Sequence, residues 1–202
     1  MPNEVRKILE KHGVIPNKVL GQNFLTDKGV VNALVEAAEV TEEDVVLEAG
    51  PGTGTITKEL AKIAKEVLAV EKDENMIRIL QEELADFENI DIIHQDILKL
   101  EIKNSDYKIV AAPPYYLTGR MFRYFLEEAN AKPSLIAVII QKEVAEKICA
   151  QPPQMNLPAI SVQLYGEPQI IRKVPKNAFW PVPDVDSAIL VVKNITKPAL
   201  NE

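Results

Sequence analysis

An α/β fold, built on a mostly parallel doubly wound sheet with an antiparallel edge pair, is predicted from three features of the sequence. Short apolar runs alternate with amphipathic segments from Asp44 to Ala150. That is the pattern of strands and crossover helices in a parallel sheet covered on both faces. A turn containing Gly50, Gly52 and Gly54 lies between the first of these runs and the helix after it. After Gln151 the alternation stops, and "PAISVQLYGEPQIIRKV" and "DSAILVVKNI" read as two strands with no helix between them. Such a pair fits an antiparallel sheet edge.

The elements follow in order. Residues 3–12 form a short amphipathic helix, and "TDKGVVNALVEAAEV" forms a second, capped by Thr26 or Asp27. "DVVLEAG" is a buried strand, "GTITKELAKIAK" a helix, "EVLAVEKD" a strand, "ENMIRILQEELADF" a helix and "NIDIIHQD" a strand. "YKIVAA" is another strand, followed by "GRMFRYFLEEAN" as helix, "SLIAVIIQ" as strand and "KEVAEKICA" as helix. The linker "PKNAFWPVPDV" is too rich in proline and apolar residues to be a free loop, so it is expected to pack against the body. Tyr116 and Trp180 are expected in the core, and Cys149 as a small buried hydrophobe on its helix.

Composition narrows the function classes. With 202 residues, 47% hydrophobic and 26% charged, one domain over 1–202 is expected, as a monomer. One cysteine cannot form an internal disulfide, and with only His12 and His94 beside it no metal site is expected. No apolar run is long enough to span a membrane and the N-terminus is charged, so a cytoplasmic protein without a membrane partner is expected. The net charge of −7 argues against a general nucleic-acid binder. The average hides an asymmetry, because residues 36–106 hold nineteen acidic side chains against seven basic ones. Residues 1–30 are slightly basic, and residues 168–180 carry Arg172, Lys173 and Lys176 with no acid. If those two segments flank one face, that face can meet a polyanion.

Glycines between a strand and a helix let the backbone turn tightly and approach a ligand. A dinucleotide loop would need a third glycine at position 55, which is Thr55, and this speaks against an NAD-dependent oxidoreductase. The observed acidic-x-G-x-G-x-G spacing, led by Glu48, resembles the S-adenosylmethionine loop of Rossmann-like methyltransferases. Two acids support that reading. Glu71 ends the second strand, where a carboxylate can accept both ribose hydroxyls, and Asp96 follows the third, where it can accept an adenine amino group. In "IVAAPPYYLT" two prolines end an apolar run, leaving carbonyls without ladder partners just before two aromatic rings.

"LGQNFLTD", "EAGPGTGTIT", "VEKDENM", "QDIL", "PPYYLTG", "QKEVAEKI" and "AFWPVPDVDSA" resemble, in order and spacing, the ribosomal RNA adenine dimethyltransferase family over about residues 17–193. That family methylates the N6 groups of two adjacent adenines near the 3′ end of small-subunit rRNA, with S-adenosylmethionine as donor. The resemblance implies that Asn23 and Leu25, with Gln22 beside them, meet the methionine end of the donor. It implies that the Gly50, Gly52 and Gly54 loop lies under the donor. Glu71 with Lys72 would serve the ribose, Asp96 with Ile97 the adenine, and Ala112 would border the cofactor. The Pro113 carbonyl would accept from the target N6, Tyr115 would stack on the flipped base, and Phe179 would close from the other side. Small-subunit rRNA in an immature subunit is the implied partner, met through 1–30 and through Arg172, Lys173 and Lys176.

The resemblance breaks twice. The family's motif opens with Asn, a side-chain acceptor, where this chain has Ala112. The family's helical C-terminal domain is also expected to be absent, since "VVKNITKPALNE" ends the chain. The expected activity is therefore dimethylation, impaired or sustained by Pro113 and water. The alternative is a ribosome-assembly factor that binds the donor and the immature subunit with slow or lost chemistry.

Overall fold

The computed structural model describes residues 2–17, 20–102 and 106–196. In chain order the elements are α1 (Pro2–Lys11), β1 (Phe24–Leu25), α2 (Lys28–Ala37), β2 (Val45–Ala49), α3 (Thr55–Ala61), β3 (Glu66–Glu71), α4 (Glu74–Glu83), β4 (Ile90–His94) and β5 (Lys108–Ala111). They continue with α5 (Thr118–Arg123), β6 (Leu135–Gln141), α6 (Lys142–Ile148), α7 (Leu157–Gln163), β7 (Glu167–Val174), β8 (Phe179–Trp180) and β9 (Ser187–Lys193). The expectation that no helical domain follows falls on residues 197–202, which lie outside the described residues.

Seven strands form one sheet in the order β4-β3-β2-β5-β6-β9-β7. The first five are parallel, whereas β9 runs antiparallel to both β6 and β7. Alternation along β6 shows why its sequence reads as an unbroken apolar run. Leu135, Ala137 and Ile139 pack on one face with Val31, Leu34 and Leu60, while Ile136, Val138 and Ile140 pack on the other with Met121, Phe125 and Ile148. A strand buried on both faces has no polar side to show. From β2 the chain fills one side of the sheet through β3 and β4, then crosses back to β5 and β6. The crevice beyond the carboxyl ends of β2 and β5 is thus the topological switch point, where open α/β sheets bind ligands.

The predicted strand run after Gln151 needs correcting. Its first half is α7, capped by Asn156, whose side chain accepts from the Ala159 N–H at 3.1 Å, with Pro158 in the first turn. Ala159 and Val162 bury themselves at helical spacing, and the β-branched Ile160 and Val162 were misleading. Only β7 is a strand, and with β9 it makes the expected antiparallel edge pair. Cys149 is half-buried at the C-terminal cap of α6 and not a core residue. Tyr116 is not a core residue either: it is 57% exposed, because the Pro-Pro turn directs it outward. Asp27 caps α2, accepting from the Val30 N–H at 3.1 Å.

The linker packs as expected. β8 pairs with β1, Trp180 opposite Phe24 and Phe179 opposite Leu25, and both the Thr26 N–H and hydroxyl donate to the Ala178 carbonyl, at 2.8 and 3.0 Å. Val5 and Leu9 of α1 cluster with Phe24, Met76 and Ile79, and the half-buried Trp180 packs on this cluster. The Arg6 guanidinium lies 4.9 Å from the Trp180 ring centroid. The described residues of 1–30 thus adjoin 168–180, and Arg172 donates to the Gly29 carbonyl at 3.1 Å. Among the described residues no helix is long and apolar enough to cross a membrane.

Candidate functional site

A cleft of about 390 Å³ opens at the switch point. Its floor is the glycine turn, with Gly50, Gly52 and Gly54 at φ +72, +60 and +80. Side chains other than glycine rarely hold such angles. Close approach adds a second requirement at Gly52, where a Cβ would stand 3.0 Å from the Phe24 ring. The loop therefore needs glycine both for its turn and for the N-terminal segment that lies across it.

Two carboxyl side chains flank the floor. One oxygen of Glu71 accepts from the N–H groups of Lys72 and Asp73, at 2.7 and 2.8 Å. Burial nevertheless raises the Glu71 carboxyl above its ordinary range, against the pull of the Asp73, Lys72 and Gly52 N–H groups. Asp96 caps a short turn, accepting from the Leu98 N–H at 3.1 Å, and meets the Lys72 ammonium at 3.2 Å. Burial opposes its ionisation, but Leu98, Lys72 and Arg120 outweigh it and hold the carboxyl below its ordinary range. Ile97 is buried beside it and lines the cleft.

The segment before β1 forms a wall. Gln22 accepts from the Asn17 N–H at 2.8 Å and donates to the Asp73 carboxylate at 2.7 Å, tying the segment to the N-terminal cap of α4. Asn23 donates to the Gly21 carbonyl at 3.3 Å, and Leu25 is buried in β1.

The opposite wall follows β5. Ala112, the buried Pro113 and Tyr115 all line the cleft, and Phe179 faces it while 4% exposed. The Pro114 carbonyl accepts from the Leu117 N–H at 2.9 Å and closes the turn. The Tyr115 hydroxyl and the Ser187 hydroxyl are hydrogen-bonded at 2.8 Å. The structure thus brings every expected cofactor and base residue except Gly54 to one cleft, and Gly54 instead sits in the same loop against Leu80 and Leu84. Arg172, Lys173 and Lys176 lie outside the cleft, exposed on β7 and the turn after it.

Three participants were not singled out from sequence. Asp73 anchors Gln22, Arg120 lines the cleft near Asp96, and Ser187 holds Tyr115. Asp73 and Ser187 lie inside the quoted "VEKDENM" and "AFWPVPDVDSA" blocks, and Arg120 inside the helix "GRMFRYFLEEAN", but no local spacing marks their partners. Glu48 is entirely buried in β2, with no hydrogen-bond partner for either oxygen.

A parallel sheet that reverses at β2 and β5, with a left-handed glycine turn at the reversal and carboxyl groups after the next two strands, defines a Rossmann-like methyltransferase fold. The solved 23S rRNA methyltransferase ErmE superposes on it with a TM-score of 0.80 at 32% identity, covering 89% of this chain and 73% of that one. A dimethyladenosine transferase from Plasmodium falciparum does so with a TM-score of 0.76 at 25% identity, over 84% and 62% of the two chains. Within that class the chain belongs to the ribosomal RNA adenine dimethylase family, whose signature matches residues 15–202. Relatives called ribosomal RNA small subunit methyltransferase A are 44% identical in Dehalococcoides mccartyi, over 94% of this chain, and 43% identical in Clostridium botulinum, over 96%. The chain spans 66% of the length of the first relative and 72% of the second.

Proposed function

We propose that this chain is an S-adenosylmethionine-dependent methyltransferase that dimethylates N6 of two adjacent adenines near the 3′ end of small-subunit rRNA. The single observation that carries this is the convergence on one cleft of the glycine turn, two carboxyl groups and the Pro113–Tyr115–Phe179 wall. The names of the relatives supply the substrate class.

The residues present fit the donor. A turn in which Gly50 and Gly52 line the cleft lets a ligand approach the backbone, and the Glu71 and Asp96 carboxyl groups are acceptors for ribose hydroxyls and an adenine amino group. Gln22, Asn23 and Leu25 close the methionine end, with Lys72 and Ile97 at the edges of the nucleoside. S-adenosylmethionine, when bound, supplies an already activated methyl group. The chain's own contribution is alignment. Tyr115 and Phe179 hold the flipped base between two apolar faces, and the Pro113 carbonyl accepts from its amino group as positive charge develops there. The exclusion of water by these walls strengthens that hydrogen bond.

Ala112 favours a second reading. It offers no side-chain acceptor at the strand end, so the chain would bind donor and immature subunit but transfer slowly or not at all, acting in assembly. Tritiated-methyl transfer to immature small subunits, run beside donor binding, tests both readings. Transfer to adenine N6 supports the enzyme. Tight binding of donor and subunit without transfer supports the assembly factor, and no donor binding removes both.

A further inference from the structure

Phe179, one of the two faces assigned to the target base, and Ser187, which is hydrogen-bonded to the other, Tyr115, stand at opposite ends of one short segment. Phe179 opens it in β8, and Ser187 ends it as the first residue of β9. Phe179 is fixed by its pairing with Leu25, and the neighbouring Ala178 carbonyl by two hydrogen bonds from Thr26. Ser187 is fixed more firmly still, 0% exposed and registered between Gln141 of β6 and Val174 of β7. Its hydroxyl reaches out of the sheet to the Tyr115 hydroxyl at 2.8 Å, across 72 residues of sequence. Tyr115 itself sits at the start of a short turn and is only half-buried. Its backbone is anchored by the Leu117 to Pro114 bond, but that bond leaves the ring torsion undetermined.

We propose that Ser187 is a positioning residue for methyl transfer: its buried hydroxyl fixes the orientation of the Tyr115 ring in the cleft that Phe179 also lines. This rests on the reading of Tyr115 as the base platform. The sheet edge is rigid, whereas a half-buried tyrosine can swing about its side-chain torsions. A hydrogen bond at the ring's far end converts sheet rigidity into ring rigidity, because the hydroxyl has the longest lever arm about those torsions. The same contact explains an otherwise unneeded polar group at the start of β9. A serine buried in a strand without a partner costs stability, and here the partner is at the site.

The test uses the full chain and a small-subunit rRNA hairpin with 2-aminopurine at the target adenine, in the presence of S-adenosylhomocysteine. The rise in base anisotropy on binding reads immobilisation between the rings whether or not a methyl is transferred. Single-turnover transfer to the unmodified hairpin is the second readout. Tyr115→Ala should abolish the anisotropy rise. Ser187→Ala and Tyr115→Phe should each diminish it and lower the transfer rate by about three- to tenfold, with donor affinity unchanged, and the double variant should be no worse than either single one. Thermal unfolding of each variant reports the fold. If Ser187→Ala unfolds, Tyr115→Phe decides alone, since it removes the same bond and leaves the buried serine in place. A full anisotropy rise in Tyr115→Ala, or none with the parent, overturns the platform reading and the proposal with it. Loss in Tyr115→Ala beside undiminished single variants, or additive losses in the double variant, overturns the role of Ser187 alone.

Discussion

The Lys72 ammonium lies 3.2 Å from the Asp96 carboxylate, joining the ends of two neighbouring strands at the rim of the cleft. Lys72 is 69% exposed there and Asp96 25%. An exposed lysine is a partner that a ligand's amino group can displace at little cost. Asp96 is also held ionised by the Leu98 N–H, so it stays an acceptor through the neutral range. Asp96→Ala is therefore expected to weaken S-adenosylmethionine and S-adenosylhomocysteine binding by roughly one to two orders of magnitude, the worth of about 1–3 kcal/mol for one charged partner. Lys72→Ala should weaken it less than about tenfold, since exposed pairs contribute roughly 0–1 kcal/mol. Calorimetry on the three proteins checks this, and an unchanged affinity in Asp96→Ala would remove the adenine site.

Glu48 should leave its mark on the pH dependence of stability. Burial pushes its carboxyl up to about 8, and the Glu71 charge adds to the shift. Its ordinary value is 4.5, so between there and about 8 the folded chain keeps a proton that the unfolded chain has released. Stability from this group is fully present below the lower value and is lost as pH rises to the upper one. Glu48→Gln cannot ionise, so relative to the parent it should gain stability steadily across that window, by on the order of a few kcal/mol, and level off above it. Urea midpoints of both proteins at several pH values measure the difference. A constant difference across the window would mean that Glu48 titrates normally.

What the sequence revealed and concealed divides by range. The glycine turn, Glu71 and Asp96 were legible because each follows a strand whose apolar run stands out, and strand ends in a parallel sheet share one edge. Helix α7 resembles a strand in sequence because Ile160 and Val162 carry strand propensity, while its helical signal is a cap, Asn156 followed by Pro158. The exposure of Tyr116 depends on how a Pro-Pro turn leaves the sheet, which periodicity does not report. Contacts across long separations left the least trace. Gln22 meets Asp73 across 51 residues, and Arg6 covers Trp180 from the opposite end of the chain. Neither pair has a spacing that a local pattern can encode.

The basic residues on and after β7 yield a prediction about salt. Arg172, Lys173 and Lys176 are exposed, and the Arg172 bond to Gly29 joins this strand to the slightly basic N-terminal segment. If they neutralise rRNA phosphates, replacing all three by Ala should weaken binding to immature subunits. The salt dependence should then flatten by about 0.7–0.9 log units per lost contact. Filter binding over a salt series gives the slope, and an unaltered slope would mark all three as ordinary surface.

The last prediction concerns Ala112, which lines the cleft at the end of β5 and packs in part on the core. The family resemblance implies an asparagine at that position, whose side-chain oxygen would be an acceptor that alanine does not offer. Pro113 and Tyr115 both line the cleft, so the loss is of one acceptor and not of the wall. An acceptor aimed at an amino group counts most when that nitrogen becomes positive, which happens only as the methyl is transferred. Hydrogen bonds to such developing charge are worth about 2.7–4 kcal/mol where a comparable group has been removed, or roughly a hundredfold to a thousandfold in rate. Because the bond strengthens in the transition state, its gain falls on turnover and not on ground-state affinity. Ala112→Asn is therefore expected to raise methyl transfer by at least about tenfold, a floor set low because two following prolines restrict how the new side chain is aimed. Donor affinity should change much less. Single-turnover transfer by parent and variant on the same immature subunits, at saturating donor, makes the comparison. A parent as fast as the variant would show that Pro113 and water suffice at the target nitrogen. Two inactive proteins that still bind donor and subunit would transfer the case to the assembly-factor reading.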